Sequence, residues 1–341
     1  MAEKSYLDLK KEVWDKGTCS GCGACVAVCP ADALFFVEGE SGQSPKNNGY
    51  CKQAVDGVRC GACFDVCPRV VPQTHEALGK YREILAGKAA FEIPRKQSGG
   101  AVTAILMHAL DAGLVDAVVT VAEDRWSMKP KAALITKSEA LIHEAGSRYN
   151  WWVPLLASLK TAVIDRKYNR IAVVGVPCVV QAIHRMRTSE NDLVQPFGKS
   201  IRLVIGLFCT ETFDYRLLVE GKLVKDLKIE PWQIRKLDVR GKLDIQLAEG
   251  GTKTIALKEL ETCVRGGCHY CTDLTALNSD ISAGSVGSPE NMTTLIVRTE
   301  TGQGFVRSAA AAGKLTTQPG IDLAAIEKLA KMKIGKAKPI A

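Results

Sequence analysis

A small α+β module followed by a larger α/β domain is the fold class that the 341-residue sequence predicts, and three observations predict it. Eight cysteines fall in two short runs within the first 68 residues, each run closing on Cys-Pro. Beyond residue 88, apolar β-branched runs alternate with helix-like stretches, the texture of a sheet flanked by helices. The chain is 46% apolar, enough to bury a sizeable core, and its length suits two domains at about 100 to 200 residues each.

The first run, residues 19–30, reads CSGCGACVAVCP, a C-x2-C-x2-C-x3-C-P pattern. Spacings of two residues let a short loop wrap an iron–sulfur cubane, while the fourth cysteine leaves the loop toward a second cluster. This predicts a two-[4Fe-4S] ferredoxin-like module over residues 1–72, with one cluster on Cys19, Cys22, Cys25 and Cys67 and the other on Cys51, Cys60, Cys63 and Cys29. The second run, CKQAVDGVRCGACFDVCP, departs from the usual spacing by placing eight residues between Cys51 and Cys60. Gly21, Gly23, Ala24, Gly61 and Ala62 supply tight turns and leave amides free to face sulfur. Zinc on CxxC pairs is the alternative, although zinc does not call for two near-equivalent halves ending in Cys-Pro.

After Pro72 the stretch THEALGKYREILAG suggests a linker helix over 73–87, leaving 88–341 as the α/β domain. There the runs 115–121, 171–176 and 203–208 read as strands of a parallel sheet, and 101–110, 155–164 and 179–186 as helices. Residues 234–257 carry two glycine turns between alternating runs and read as an antiparallel meander on or beside that sheet. Residues 321–330 read as a helix, followed by a Lys-rich tail expected to be solvated. The charged N-terminus MAEKSYLDLKKEVW offers no signal peptide, so reduced thiols and a cytoplasmic location are expected. The run 171–183 is broken by Gly175, Pro177 and Gln181 and is shorter than the roughly 18 residues a bilayer span needs. The formal charge of +8 invites nucleic acid or an anionic membrane as partner.

Five cysteines remain: Cys178, Cys209, Cys263, Cys268 and Cys271. Cys178 and Cys209 each follow an apolar strand, at the edge where open α/β sheets place their sites. Cys268 and Cys271 form a CxxC in a glycine-rich loop. Four of the five would suffice for a third cluster or a structural zinc, and a lone cysteine at a strand end is more often a small hydrophobe. At QSGGAVTAIL, Ser98, Gly99 and Gly100 stand where a helix begins, and free amides at a helix N-terminus bind phosphate. A Ser cap followed by glycine packing is the other reading. Arg148 and Tyr149 in GSRY offer a cation for phosphate and a ring for stacking, or simply a loop packed beside Trp151 and Trp152.

Together, QSGGAVTAIL, GSRY, GVPC, GLFCTETF and GCHYCTDLTALNSDISAGSVGS resemble the beta subunits of coenzyme F420-reducing hydrogenase and F420-dependent formate dehydrogenase. With the two-cluster module in front, the chain looks most like the electron-input subunits of archaeal F420 dehydrogenase complexes, which feed a membrane quinone or methanophenazine oxidoreductase. The resemblance implies an α/β domain that binds FAD and the deazaflavin coenzyme F420 and holds a third [4Fe-4S] cluster. It favours Cys178, Cys209, Cys268 and Cys271 as the ligands over Cys263. It implies flavin contacts from Ser98, Gly99, Gly100, Thr103, Arg148, Tyr149 and Asp280, although Leu274, Asn278 and Ser279 depart from the family pattern nearby. Three all-thiolate clusters at about −2 each, with the FAD phosphates, would absorb the basic surplus, so no nucleic-acid partner is expected and membrane association would come only through partner subunits. F420 is a hydride carrier and clusters take one electron at a time, so a flavin is needed between them.

Overall fold

The computed structural model describes residues 4–38 and 44–340. In the N-terminal module, Ser5 caps the helix Tyr6–Leu9 by accepting from the Leu7 amide, while Asp8 accepts from the Ser5 amide; the helix runs on as a wider turn, Lys10–Trp14. The two halves then repeat one device. Helical turns Ala24–Ala27 and Ala62–Asp65 each start from a left-handed glycine, Gly23 at φ +85° and Gly61 at φ +66°, conformations that cost other residues strain. The eight residues between Cys51 and Cys60 contain the helix Lys52–Asp56, which turns back at Gly57 and returns the chain toward Cys51's side of the module. Strands β1 (Leu34–Phe35) and β2 (Lys46–Asn47) pair antiparallel, and Leu9, Val13 and Leu34 pack with Cys25 and Cys63.

The expected linker helix over 73–87 does not form. Residues 73–82 have no regular structure and Glu83–Ala89 is β3. Tertiary partners override local propensity here. Arg298 donates to the Leu78 and Lys80 carbonyls and Thr272 to that of Thr74, Gly79 takes φ +64°, and β3 is paired on both sides.

The main domain adds β4 (Ala117–Asp124), β5 (Lys129–Ile135), β6 (Asn150–Trp151), β7 (Ile171–Gly175), β8 (Ile201–Leu207), β9 (Phe213–Asp214), β10 (Ile234–Val239), β11 (Lys242–Leu247), β12 (Thr252–Ala256), β13 (Ile281–Gly284), β14 (Thr293–Val297) and β15 (Leu315–Gln318). Eight strands form one sheet in the order β15-β3-β14-β13-β8-β7-β4-β5. Only β13, β8, β7 and β4 pair with one another in parallel, so the expected parallel sheet is the centre of a mixed one. Alternation in β7 sends Ala172 and Val174 to one face, with helices Ala101–Asp111 and Glu300–Ala311, and Ile171 and Val173 to the other, with helix Pro177–Thr188. That second face also takes in Ala24, Ala27, Val28, Ala62 and Val66, so the N-terminal module is built onto the sheet's helical layer.

The meander forms as expected, but as a separate three-stranded sheet, β10-β11-β12, over its own core of Trp152, Phe213, Tyr215, Leu218 and Leu243. The C-terminal helix runs further than the sequence suggested, Leu323–Lys336. Among the described residues no helix is long and apolar enough to cross a membrane.

Candidate functional site

The eight N-terminal cysteines surround two hollows. One is lined by Cys19, Cys22, Cys25 and Cys67 with Trp14, Phe36 and Pro68. The other is lined by Cys29, Cys51, Cys60 and Cys63 with Tyr6, Leu34 and Lys52. Each half of the chain thus lends its fourth cysteine to the other half's hollow, and Cys51 stands with its three partners despite its spacing. Burial pushes the Cys67 thiol up to about 12, with the charge of Cys22 adding to it, and burial raises Cys25 and Cys63 further still. Four bare thiolates are therefore unfavourable in either hollow, and a cationic core would be stabilised there. Amides are already aimed at sulfur: Ala33 donates to Cys29 Sγ at 3.3 Å, and the Gly21 and Ala62 amides favour the charged forms of Cys19 and Cys60. Thiols spread around a hollow suit a polynuclear group, whereas a single zinc holds its sulfurs about 2.3 Å from one point. Among the described residues no three His, Cys, Asp or Glu side chains converge on one metal ion.

In the main domain, Cys178 lies in the first turn of the helix after β7, Cys209 follows β8, Cys268 lies within the 3-10 turn Gly266–Tyr270, and Cys271 ends that turn. The structure brings these four together. Burial raises Cys178, whose neighbouring charges are Cys22, Cys271, Arg69 and Cys209. Burial also pushes Cys209 up to about 12, against the charge of Lys333 and with Cys268 and Cys271 beside it. Cys263 is elsewhere, 1% exposed in the meander's core, with Lys222, Asp214 and Asp226 as its charged neighbours. Cys22 beside Cys178 and Cys63 beside Cys25 place the three thiol groups in a row.

Sequence reasoning missed three buried cations. Arg69 donates to the Gly267 and Tyr270 carbonyls; Arg265 donates to the Ser20 carbonyl and lies over the Trp151 ring; Lys333 donates to the Cys209 and Asp273 carbonyls. Lys333 belongs to the Lys-rich tail expected to be solvated, yet it is 8% exposed. Nothing in the residue types distinguishes it from Lys331, which is exposed and paired with Glu327.

The glycine-led helix needs correction. Gly99 donates its amide to Thr293 Oγ1, and a Cβ there would lie 2.4 Å from the Gly87 carbonyl oxygen. Its glycine serves the close approach of β3 and β14, so this amide is not free for a phosphate. Ser98, at φ +51°, and Gly100, at φ +72°, turn the chain into helix Ala101–Asp111, whose first-turn amides, at Ala101, Val102 and Thr103, lack helical partners by position. Asp280 also differs from expectation. Its carboxylate accepts from the Val204 amide at 2.8 Å, from Thr299 Oγ1 at 2.8 Å and from Arg187 at 3.1 Å, tying β8 to the residues after β14. At 4% exposure, Asp280 takes all three of these donors from within the fold.

The two remaining motifs meet. Gln97 donates to Tyr149 Oη at 3.4 Å and to Asp238 at 2.6 Å, and a Cβ on Gly146 would lie 2.9 Å from the Arg95 carbonyl oxygen. Arg148 pairs with Glu123 at 3.3 Å and Glu144 at 3.7 Å. Burial lowers Arg95, as do the like charges of Arg125 and Arg148, while Glu123 opposes them and Arg235 adds to them, so guanidinium groups and carboxylates share this loop cluster.

Cysteine-rich hollows in a small front module and a mixed α/β sheet behind it define an iron–sulfur protein class, and comparison with known proteins identifies which. A 4Fe-4S binding domain matches residues 12–35, and the N- and C-terminal parts of the coenzyme F420 hydrogenase/dehydrogenase beta subunit match residues 84–160 and 168–322. The chain belongs to the family of coenzyme F420 hydrogenase/dehydrogenase beta subunits. It is 42% identical to an uncharacterized protein of Methanocaldococcus jannaschii over 98% of each chain. It is 33% identical to the coenzyme F420-dependent sulfite reductase of that organism, over 96% of this chain and 50% of that protein. It is 29% identical to one of the subunits of the F(420)H(2) dehydrogenase of Methanosarcina mazei, over 94% of this chain and 91% of that one. A chain of the F420-reducing [NiFe] hydrogenase complex from Methanosarcina barkeri superposes with a TM-score of 0.72 at 28% identity, covering 78% of this chain and 92% of that one.

Proposed function

We propose that the protein is an iron–sulfur flavoprotein subunit that oxidises reduced coenzyme F420 at a bound FAD and passes single electrons to a partner subunit of a redox complex. The observation that carries this reading is the row of three four-thiol groups, running from the carboxyl edge of the sheet to the front module. The thiols of each group would hold one [4Fe-4S] cluster: Cys19, Cys22, Cys25 and Cys67; Cys29, Cys51, Cys60 and Cys63; Cys178, Cys209, Cys268 and Cys271. When bound, a flavin exchanges a hydride with the deazaflavin and single electrons with clusters. The chain's own part is to hold the anionic coenzymes in register. Arg95, Arg125 and Arg235 suit their phosphates, the helix start near Thr103 offers amides, and Tyr149 is half-buried alongside. Hydride transfer needs little proton traffic, so no side chain is assigned as catalytic acid, and positioning of the two rings supplies most of the rate.

The partner in this reading is a membrane-bound quinone or methanophenazine oxidoreductase, which would hold the protein at the cytoplasmic face. A second reading, input subunit of an F420-linked hydrogenase, formate dehydrogenase or reductase of another substrate, is favoured by the relatives: one named a sulfite reductase is about twice as long as this chain. An anaerobic assay with a viologen dye, comparing reduced F420 with NADH and NADPH alongside iron, sulfide and flavin counts, tests the proposal. Equal or faster turnover with a nicotinamide overturns the F420 assignment. No turnover with any donor despite bound FAD leaves a plain electron-transfer protein.

A further inference from the structure

The thiol group of Cys178, Cys209, Cys268 and Cys271 is flanked by two cations that arrive from opposite ends of the chain. Arg69 follows the Cys-Pro of the front module and is 3% exposed. Its guanidinium spends its donors on the Gly267 and Tyr270 carbonyls and on Gln73 Oε1, its Nε has no partner, and Cys271, Cys178 and Cys268 are its nearest charges. Lys333 comes from the last helix, with Nζ 2.6 Å from both the Cys209 and the Asp273 carbonyl oxygens. The Asp273 carboxylate beside it is occupied by the Ala276 and Leu277 amides and by Gln181. Apart from the Cys271 sulfur, which both approach, the two cations are hydrogen-bonded to neutral oxygens, and the Asp273 carboxylate offsets Lys333 but not Arg69. Burying a positive charge in that way is unfavourable unless an anion shares the site.

We propose that Arg69 and Lys333 are positioning residues that supply the countercharge for an anionic iron–sulfur group on these four thiols and thereby raise its reduction potential. The inference rests on the cluster assignment above. An all-thiolate [4Fe-4S] group gains one negative charge on reduction, so two nearby cations in a low-dielectric site stabilise the reduced form more than the oxidised form. Gly267 and Tyr270, to which Arg69 is bonded, bracket Cys268, so its hold on the loop also fixes the CxxC.

The experiment is an EPR-monitored redox titration of the full chain, unaltered and as Lys333→Met, Lys333→Arg, Arg69→Met and Arg69→Lys, with iron counted in each. The methionine variants should make reduction of the cluster on Cys178, Cys209, Cys268 and Cys271 at least tenfold less favourable, which is 59 mV for one electron. Lys333→Met should leave the other two unmoved, while Arg69→Met should also make the cluster that includes Cys67 harder to reduce, since Arg69 acts on that thiol too. The conservative variants should restore most of the shift. Should Lys333→Met fail to fold, Arg69→Met carries the same reading from the other side of the site. A merely structural role predicts lower melting temperatures with unmoved potentials, and that outcome overturns the inference alone. Only about eight irons in the unaltered protein overturns the cluster assignment and this inference with it.

Discussion

The thiol group of Cys29, Cys51, Cys60 and Cys63 and that of Cys178, Cys209, Cys268 and Cys271 offer the same four sulfurs in opposite surroundings. The first lies against solvent: Val55 and Val58, in the segment between two of its cysteines, are 59% and 41% exposed. The second sits under the sheet's edge between Arg69 and Lys333. Ligand identity alone therefore does not set the properties of such a group; the charges and water that the fold admits do. In the proposed function, the cation-flanked inner group would take electrons in and the outer group would pass them to another protein.

The largest test of that comparison removes one sulfur at a time. Cys178→Ser should abolish the inner cluster's EPR signal and leave two others, while Cys263→Ser should leave all three; the reverse result would mean that the meander cysteine is a ligand. Cys29→Ala should cost the outer cluster and spare the one on Cys19, Cys22 and Cys25, because Cys29 lines the other hollow. Gly99→Val should destabilise the fold by about 3 kcal/mol or more in thermal melts, through the clash with the Gly87 carbonyl, whether or not flavin is bound. Asp280→Asn should cost about 1 to 3 kcal/mol in denaturant unfolding, reduced from the fully buried case because Arg187 is partly exposed, with flavin content unchanged. The smallest effect is expected from Lys331→Ala. Two residues before Lys333 on the same helix, it should move neither melting temperature nor any midpoint potential, and a shift there would assign the inner group's tuning to net charge, not to burial.

Cysteine spacing made the two N-terminal sulfur groups legible because ligand geometry acts over a few residues, whereas the third, on the distant Cys178, Cys209, Cys268 and Cys271, was favoured over Cys263 by the family resemblance. The central strands were legible for a similar reason: β7 and β8 are apolar on both faces, as buried parallel strands are. The failures share a different cause. Residues 73–87 carry helix-favouring side chains, but strand partners and Arg298 decide their backbone, and those partners lie about 200 residues away. Asp280 and Gly99 have the residue types of a ligand site, and only the positions of Val204, Thr299 and Gly87 reveal them as parts of the scaffold. Lys333 looked like solvated tail because a helix of lysines does not announce which one faces inward.

The exchange of arginines between the two modules has a consequence for how such proteins can be rebuilt. Arg69 leaves the front module to grip the loop of Cys268, and Arg265 leaves the main domain to seat beside Gly21 and the Cys19 loop. Gly267 passes so near the Cys19 carbonyl that a Cβ there would lie 2.0 Å from it. The joint is therefore a dovetail, cut from both pieces at once. Grafting another two-cluster module onto this core would strand Arg265 and orphan the Gly267 and Tyr270 carbonyls unless each arginine and its seat travel together.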